Sequence, residues 1–276
     1  MARTTRMRPN VPAGVAGFLW LLVALVPVYY VVITSLRTQE GFFSDNPLVP
    51  PSDPSLDSYR LVLESDFLLY LVNSIVVTLG AVLITVSLSL MASYFVVRGT
   101  GRLSGMTHKV FLLGLAIPLQ ATIIPVYYLI TEARMYDTLL AIILPSAAFA
   151  IPLTVVILSN FLRDVPNELF ESMRVDGAGH WRMLVSLVLP LMRPALVTVA
   201  VYDGLQVWNG FLFPLILTQS PDQRVLPLAL WSFQGQFTVN IPAVLAAVVL
   251  STLPVLALYI LGRRHLVSGL TAGFGK

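Results

Sequence analysis

Five stretches of this chain contain no Asp, Glu, Lys or Arg: Pro9–Leu36, Phe67–Val97, Val110–Thr131, Thr138–Leu162 and Val225–Gly262. Each is long enough to cross a hydrocarbon core about 30 Å thick, which takes about 20 apolar helical residues. A sixth window, Pro194–Pro221, holds a single acid, Asp203. Inside lipid every backbone N–H and C=O must find a partner within the protein. Continuous apolar runs therefore fold as helices, whereas a barrel would alternate apolar and polar residues. The expected fold class is an all-α integral membrane protein with six transmembrane helices, at about 12-36, 68-97, 110-131, 138-162, 194-218 and 241-262. These form one domain, 11-265, between short tails at 1-10 and 266-276.

Composition agrees. Of the residues, 57% are hydrophobic and 11% charged, with a mean hydropathy of +0.82. A soluble domain carries about a quarter charged residues, so this excess of apolar surface faces lipid. The absence of cysteine excludes a disulfide scaffold and a thiolate zinc site. The pI is about 9.3, but the basic residues sit scattered at helix ends rather than in a run, which argues against nucleic acid as a partner.

Orientation follows from where Lys and Arg fall, because positively charged loops stay inside. One set of segments holds Arg3, Arg6 and Arg8; Arg98, Arg102 and Lys109; Arg163, Arg174, Arg182 and Arg193; and Arg263, Arg264 and Lys276. The alternate loops hold only Arg37, Arg60, Arg134 and Arg224. Both termini are expected in the cytoplasm, with the N-terminal run read as an uncleaved first span. Arg37 to Asp66 carries six acids and a Pro-rich centre and is expected to be an exposed, irregular outer segment. Trp20, Tyr29, Tyr30 and Trp231 suit packing or interfacial anchoring. The glycines between Gly99 and Gly105 resemble half of a dinucleotide fingerprint, but no βαβ unit surrounds them.

One inner loop, 163-193, is too long and too patterned for a simple connection. Asp164 and Pro166 mark a helix start, and Glu168 and Glu171 lie near its positive end. The spacing predicts a helix over Asn167 to Val175, with Leu169, Phe170 and Met173 on one face. Gly177 and Gly179 then break it before Trp181 opens a second amphipathic turn. The loop reads Glu171-Ser172-Met173-Arg174-Val175-Asp176-Gly177, then nine residues, then Leu187-Val188-Leu189-Pro190.

That pattern resembles the EAA loop of bacterial ABC importer permeases: the Glu, Gly, Leu and Pro fall in register, while Ser172 and Met173 replace the paired alanines. Trp208-Asn209-Gly210-Phe211, Pro214-Leu215, Leu226-Pro227-Leu228, Pro254 in the last window and the ending Gly269 to Gly273 look like the second, six-span permease subunit of the carbohydrate-uptake branch. The resemblance implies several things. The chain would form half of a translocation pathway for a sugar or oligosaccharide in the bacterial cytoplasmic membrane. It would pair with a second homologous permease subunit, a dimer of ATP-binding subunits and an extracellular solute-binding lipoprotein. The loop would be a coupling helix, meeting the ATPase through Leu169, Phe170, Glu171, Ser172, Met173, Asp176 and Gly177. ATP and Mg would be bound by the partner ATPases, with no cofactor in this chain.

The residues agree with a passive subunit. Lys109 is followed by Val110 and the other lysine is Lys276, so no GxxxxGK[ST] loop exists. His108, His180 and His265 lack metal-ligand spacing, and no nucleophile and base constellation can be placed. For the substrate pathway, Tyr202, Asp203, Gln206, Asn209 and Gly210 make one polar stripe at helical spacing. Asp203 is the one acid well inside a span, and an intramembrane carboxylate faces the bundle interior or water. The alternative role for the stripe is to glue neighbouring helices. Asn73, and Gln120 between Pro118 and Pro125, are further pathway candidates. Two other functions fit less well: import of glycerol-phosphate-type solutes, for which no Arg or Lys lies deep in a span, and a self-sufficient ion-coupled carrier using Asp203.

Overall fold

The computed structural model describes residues 11–230 and 240–272. Trp231 and the tail residues 1–10 and 273–276 lie outside that range. The described residues are helical, in chain order α1 (Val11–Ser35), α2 (Gln39–Ser44), α3 (Asp57–Glu64), α4 (Phe67–Arg98), α5 (Arg102–Gly114), α6 (Ile123–Glu132), α7 (Leu139–Arg163), α8 (Asn167–Val175), α9 (His180–Met183), α10 (Leu189–Leu191), α11 (Arg193–Trp208), α12 (Leu212–Leu217), α13 (Leu226–Ala229) and α14 (Ile241–Ala272). The chain divides into two compact units, one of Met1–Asp66 with Ser232–Ser251, the other of Phe67–Trp231 with Thr252–Lys276.

In the first unit α1 is apolar along its length, with mean hydropathy 2.3 over its best window, and most of its residues are exposed within the chain. The segment after it is more ordered than its prolines suggest. Thr38 caps α2 by accepting the Gly41 N–H at 3.1 Å, and the Ser35 and Tyr59 hydroxyls are 2.7 Å apart. Arg37 is buried, its guanidinium donating to the carbonyls of Asn46 and Val49. The expectation of an irregular, exposed segment is therefore corrected at Arg37: the side chain folds inward because two loop carbonyls solvate it.

The second unit is built on α4 and α7, which are long and apolar enough to span a bilayer, with α11 beside them. Their contact faces are lined by small or β-branched residues, with Ala81, Thr85, Ala147 and Val155 at 1% exposure or less. Small side chains let backbones approach closely, which is how helices associate where lipid offers no hydrophobic gain. The third apolar window is not a straight span. Arg102–Gly114 and Leu119–Glu132 are bent by 97°, because the chain leaves α5 at Gly114 and re-enters helix only after Pro118, through a 3-10 turn at Leu119–Thr122. His180–Leu191 and Arg193–Trp208 are likewise bent by 77°. Just before that bend, Leu184–Val188 is a π-helical turn. Pro190 follows it, and the wider turn relieves the clash that a proline ring makes with the carbonyl four residues earlier.

Candidate functional site: the loop helix and a membrane cavity

The loop helix α8 begins after Pro166, whose fixed φ of −56° suits a helix entry and whose missing N–H costs nothing there. Glu168 in its first turn and Arg174 in its last both complement the helix dipole. At its end the Ala178 N–H donates to the Met173 carbonyl and the Gly177 N–H to the Arg174 carbonyl, both at 2.9 Å. This pair of bonds needs a left-handed residue between helix and loop, and Gly177 supplies it at φ +74°. The Met183 N–H then donates back to the Gly179 carbonyl, starting α9.

The predicted apolar face splits in two. Phe170 is 3% exposed, packed among Tyr94, Leu158, Leu162, Ala178 and Met183, and Met173 is partly buried against the same cluster. The Arg98 guanidinium lies 3.5 Å from the Phe170 ring centroid. The expectation that Phe170 meets a partner is therefore corrected by its burial, while Met173 stays half-exposed. Both root α8 in its own bundle, because the end of α4 passes on that side. The outward face carries Glu168, Leu169, Glu171, Ser172, Val175 and Asp176, with Gly177 at its tip, all exposed. Val175, 87% exposed, and Trp181, 65% exposed, add apolar surface to it. Sequence periodicity missed Val175; its position two residues before Gly177 is the signal that marks it.

The second location is a cavity of about 340 Å³ between α7 and α11. Ser146 and Phe149 line it from α7, Tyr202, Asp203 and Gln206 from α11, and Phe211 and Phe213 from the segment that follows. Asp203 is 2% exposed and accepts a hydrogen bond from the Thr154 hydroxyl at 2.8 Å, so it both borders the cavity and ties two spans together. Tyr202 and Gln206 are exposed beside it.

The other three pathway candidates lie elsewhere. Asn209, at the end of α11, folds its amide back onto the Leu205 carbonyl at 2.7 Å. Gln120 is exposed in the 3-10 turn, and its neighbour Leu119 lines the cavity instead. Asn73 is corrected outright: it is 6% exposed, and its amide donates to the carbonyls of Asp222 and Arg224, both at 2.8 Å. With both N–H groups used on backbone 149 and 151 residues away, it is a loop clamp rather than a solute contact. Among the described residues no three His, Asp or Glu side chains gather as a metal site.

Similarity to known proteins extends over nearly the whole chain. Residues 86–270 match the family described as binding-protein-dependent transport system inner membrane component. A putative ABC transporter permease of Caldicellulosiruptor sp. (strain Rt8B.4) is 38% identical over 257 residues, covering 93% of this chain and 94% of its own. A diacetylchitobiose uptake system permease of Streptomyces coelicolor is 32% identical, covering 98% and 97%. A trehalose/maltose transport system permease of Thermococcus litoralis is 32% identical, covering 94% of each. The fold matches a chain of a bacterial ABC transporter involved in import of the acidic polysaccharide alginate, with TM-score 0.82, 19% identity, and coverage of 96% of this chain and 98% of that one.

Proposed function

Because the chain belongs to the binding-protein-dependent transport inner membrane components, we propose that it is a sugar-importing permease subunit driven from outside its own polypeptide. Its cargo would be a neutral sugar or oligosaccharide. Two relatives that align over nearly their whole length are named for diacetylchitobiose and for trehalose and maltose. In this reading a second permease subunit completes the pathway, an extracellular binding protein delivers the sugar, and a pair of ATPase subunits binds ATP and Mg. Both termini and α8 lie on the cytoplasmic side, in keeping with the bias of Arg and Lys toward those segments.

The observation that carries the proposal is the outward face of α8. A nine-residue helix rooted by Phe170 and stopped by Gly177 presents Leu169, Glu171 and Val175 to the outside. A rigid apolar centre with charged flanks is the composition of a docking surface. The cavity beside Asp203 supports a route for polar solute along α11, with Phe149 and Tyr202 as ring surfaces and Gln206 as donor and acceptor. No basic side chain lines that cavity, which disfavours a glycerol phosphate. Membership of a binding-protein-dependent family gives no support to an ion-coupled carrier.

The test is co-expression with the genes that flank this one, purification, and reconstitution in proteoliposomes. A complex holding two ATPase subunits should take up diacetylchitobiose, maltose or trehalose in an ATP-dependent way and leave glycerol 3-phosphate outside. Uptake by this chain alone, driven by an ion gradient, would overturn the proposal.

A further inference from the structure

The loop helix is held by an element that does not adjoin it in sequence. α8 lies between α7 and α11 along the chain, yet its firmest polar attachments run to the last turn of α4. Arg98 ends α4, and its guanidinium makes three contacts with the start of α8. One amino group donates to the Val165 carbonyl at 3.1 Å, the other donates to the Asn167 side-chain oxygen, and the plane covers the Phe170 ring. One turn earlier on α4, the Tyr94 hydroxyl lies 3.0 Å from His180 Nδ1, at the start of α9. Residues four apart share a helix face, so one face of α4 grips both halves of the loop.

Simple charge attraction does not explain the grip. Among the described residues no carboxylate lies within 4.0 Å of Arg98. A cation beside a helix N-terminus faces the unfavourable end of the dipole, and Arg174 brings a second positive charge near. What remains is geometry: a planar fork whose two amino groups each donate to an oxygen while its plane stacks on a ring, which an ammonium group cannot reproduce.

We infer that Arg98 is a positioning residue for transport: it fixes α8 to α4, so that motion of the docking surface enters the bundle through α4. Tyr94 is the second fastening. The inference rests on the reading of α8 as the ATPase-docking element.

The experiment uses the complete transporter in proteoliposomes. Spin labels are placed at Thr100→Cys, just past α4, and Arg174→Cys, exposed on α8 away from the docking residues, in a chain that has no cysteine of its own. In the otherwise wild-type chain one narrow distance is expected, the same without nucleotide and with ATP trapped. Arg98→Lys should broaden that distance and cut the stimulation of hydrolysis by the binding protein about tenfold, the scale at which coupling residues act. Basal hydrolysis, carried by other chains, should persist. Tyr94→Phe, which deletes one hydroxyl, should broaden the distance less, and it serves if the lysine variant fails to assemble. A Thr100–Arg174 distance that shifts with nucleotide in the otherwise wild-type chain would overturn the inference, as would unaltered distance and stimulation in both variants. Failure of the docking reading shows separately, as undiminished coupling in Glu171→Lys.

Discussion

The Thr154 hydroxyl lies 2.8 Å from Asp203 Oδ2 and 3.0 Å from the Ala150 carbonyl, so one side chain on α7 serves both its own helix and the buried acid on α11. A hydroxyl has one proton. When it donates to the carboxylate it leaves Ala150 to the helix, and when the acid carries a proton the order reverses into a chain from Asp203 through Thr154 to Ala150. Either way the acid keeps its partner. Thr154→Val removes that partner and should destabilise the chain by about 1–3 kcal/mol, the cost of an orphaned buried polar group. Asp203→Asn retains an oxygen acceptor for Thr154 and should melt close to the wild type. Thermal unfolding in detergent checks both. If the Asp203→Asn variant transports normally while the Thr154→Val variant is destabilised, the acid's role is to join helices rather than to meet solute.

A second pair of bonds fixes the loop before α13. Asn73 donates to the carbonyls of Asp222 and Arg224, and the neighbouring Ser74 hydroxyl accepts the Leu226 N–H at 2.8 Å. Asn73→Ala removes both of its hydrogen bonds, at a cost of about 1–3 kcal/mol. The loop should then open locally before the bundle unfolds, because fewer bonds hold it to the bundle on the α4 side. Limited trypsin digestion reads this directly: cleavage after Arg224 should appear in the variant under conditions where the wild type resists.

The same loop is fastened from its other side by a carboxylate. Asp137, in the turn between α6 and α7, accepts from the N–H groups of Gln219 at 2.8 Å and Ser220 at 2.9 Å and from the Ser220 hydroxyl. Those donors, the Ser220 hydroxyl foremost, hold its pKa below the ordinary 3.8. A depressed pKa means that the stabilisation is complete above the unfolded value and is lost as pH falls through the folded one. The contribution of Asp137 should therefore be constant near neutral pH. Below about pH 4 stability should fall more steeply in the wild type than in Asp137→Asn, which starts lower. Melting curves between acid and neutral pH measure the difference in slope, and parallel curves would remove the clamp.

What the sequence made legible follows from these particulars. α8 runs over the residues expected of it because Pro166 and Gly177 punctuate it, and such residues act locally. The face that α8 turns to the bundle was not legible. Periodicity says that Leu169, Phe170 and Met173 are neighbours, but only the course of α4 decides that Phe170 is covered and Val175 is bare. Asn73 was unreadable for the same reason, since its partners lie about 150 residues away. The 97° break between α5 and α6 hid inside a window of unbroken hydropathy, which reports a residue's preference for lipid and not the direction of the chain.

The remaining prediction concerns the tip of the loop. Gly177 sits at φ +74° with nothing within 4 Å of the position a Cβ would take, so a larger residue meets no clash and only backbone strain. Gly177→Ala should cost about 1–2 kcal/mol in that left-handed conformation. The Ala178 and Gly177 bonds to the end of α8 share that cost, so the strain should fray the last turn, around Val175 and Asp176. Val175→Ala, by contrast, leaves the cap intact and removes only exposed apolar surface. If the outward face docks an ATPase, both variants should lower the affinity of the isolated ATPase subunit for the permease, but only Gly177→Ala should raise amide exchange in residues 173–178. Equal exchange in the two variants would show that Gly177 is dispensable to the cap, and unchanged affinity in both would show that the bare face of α8 is not where the ATPase sits.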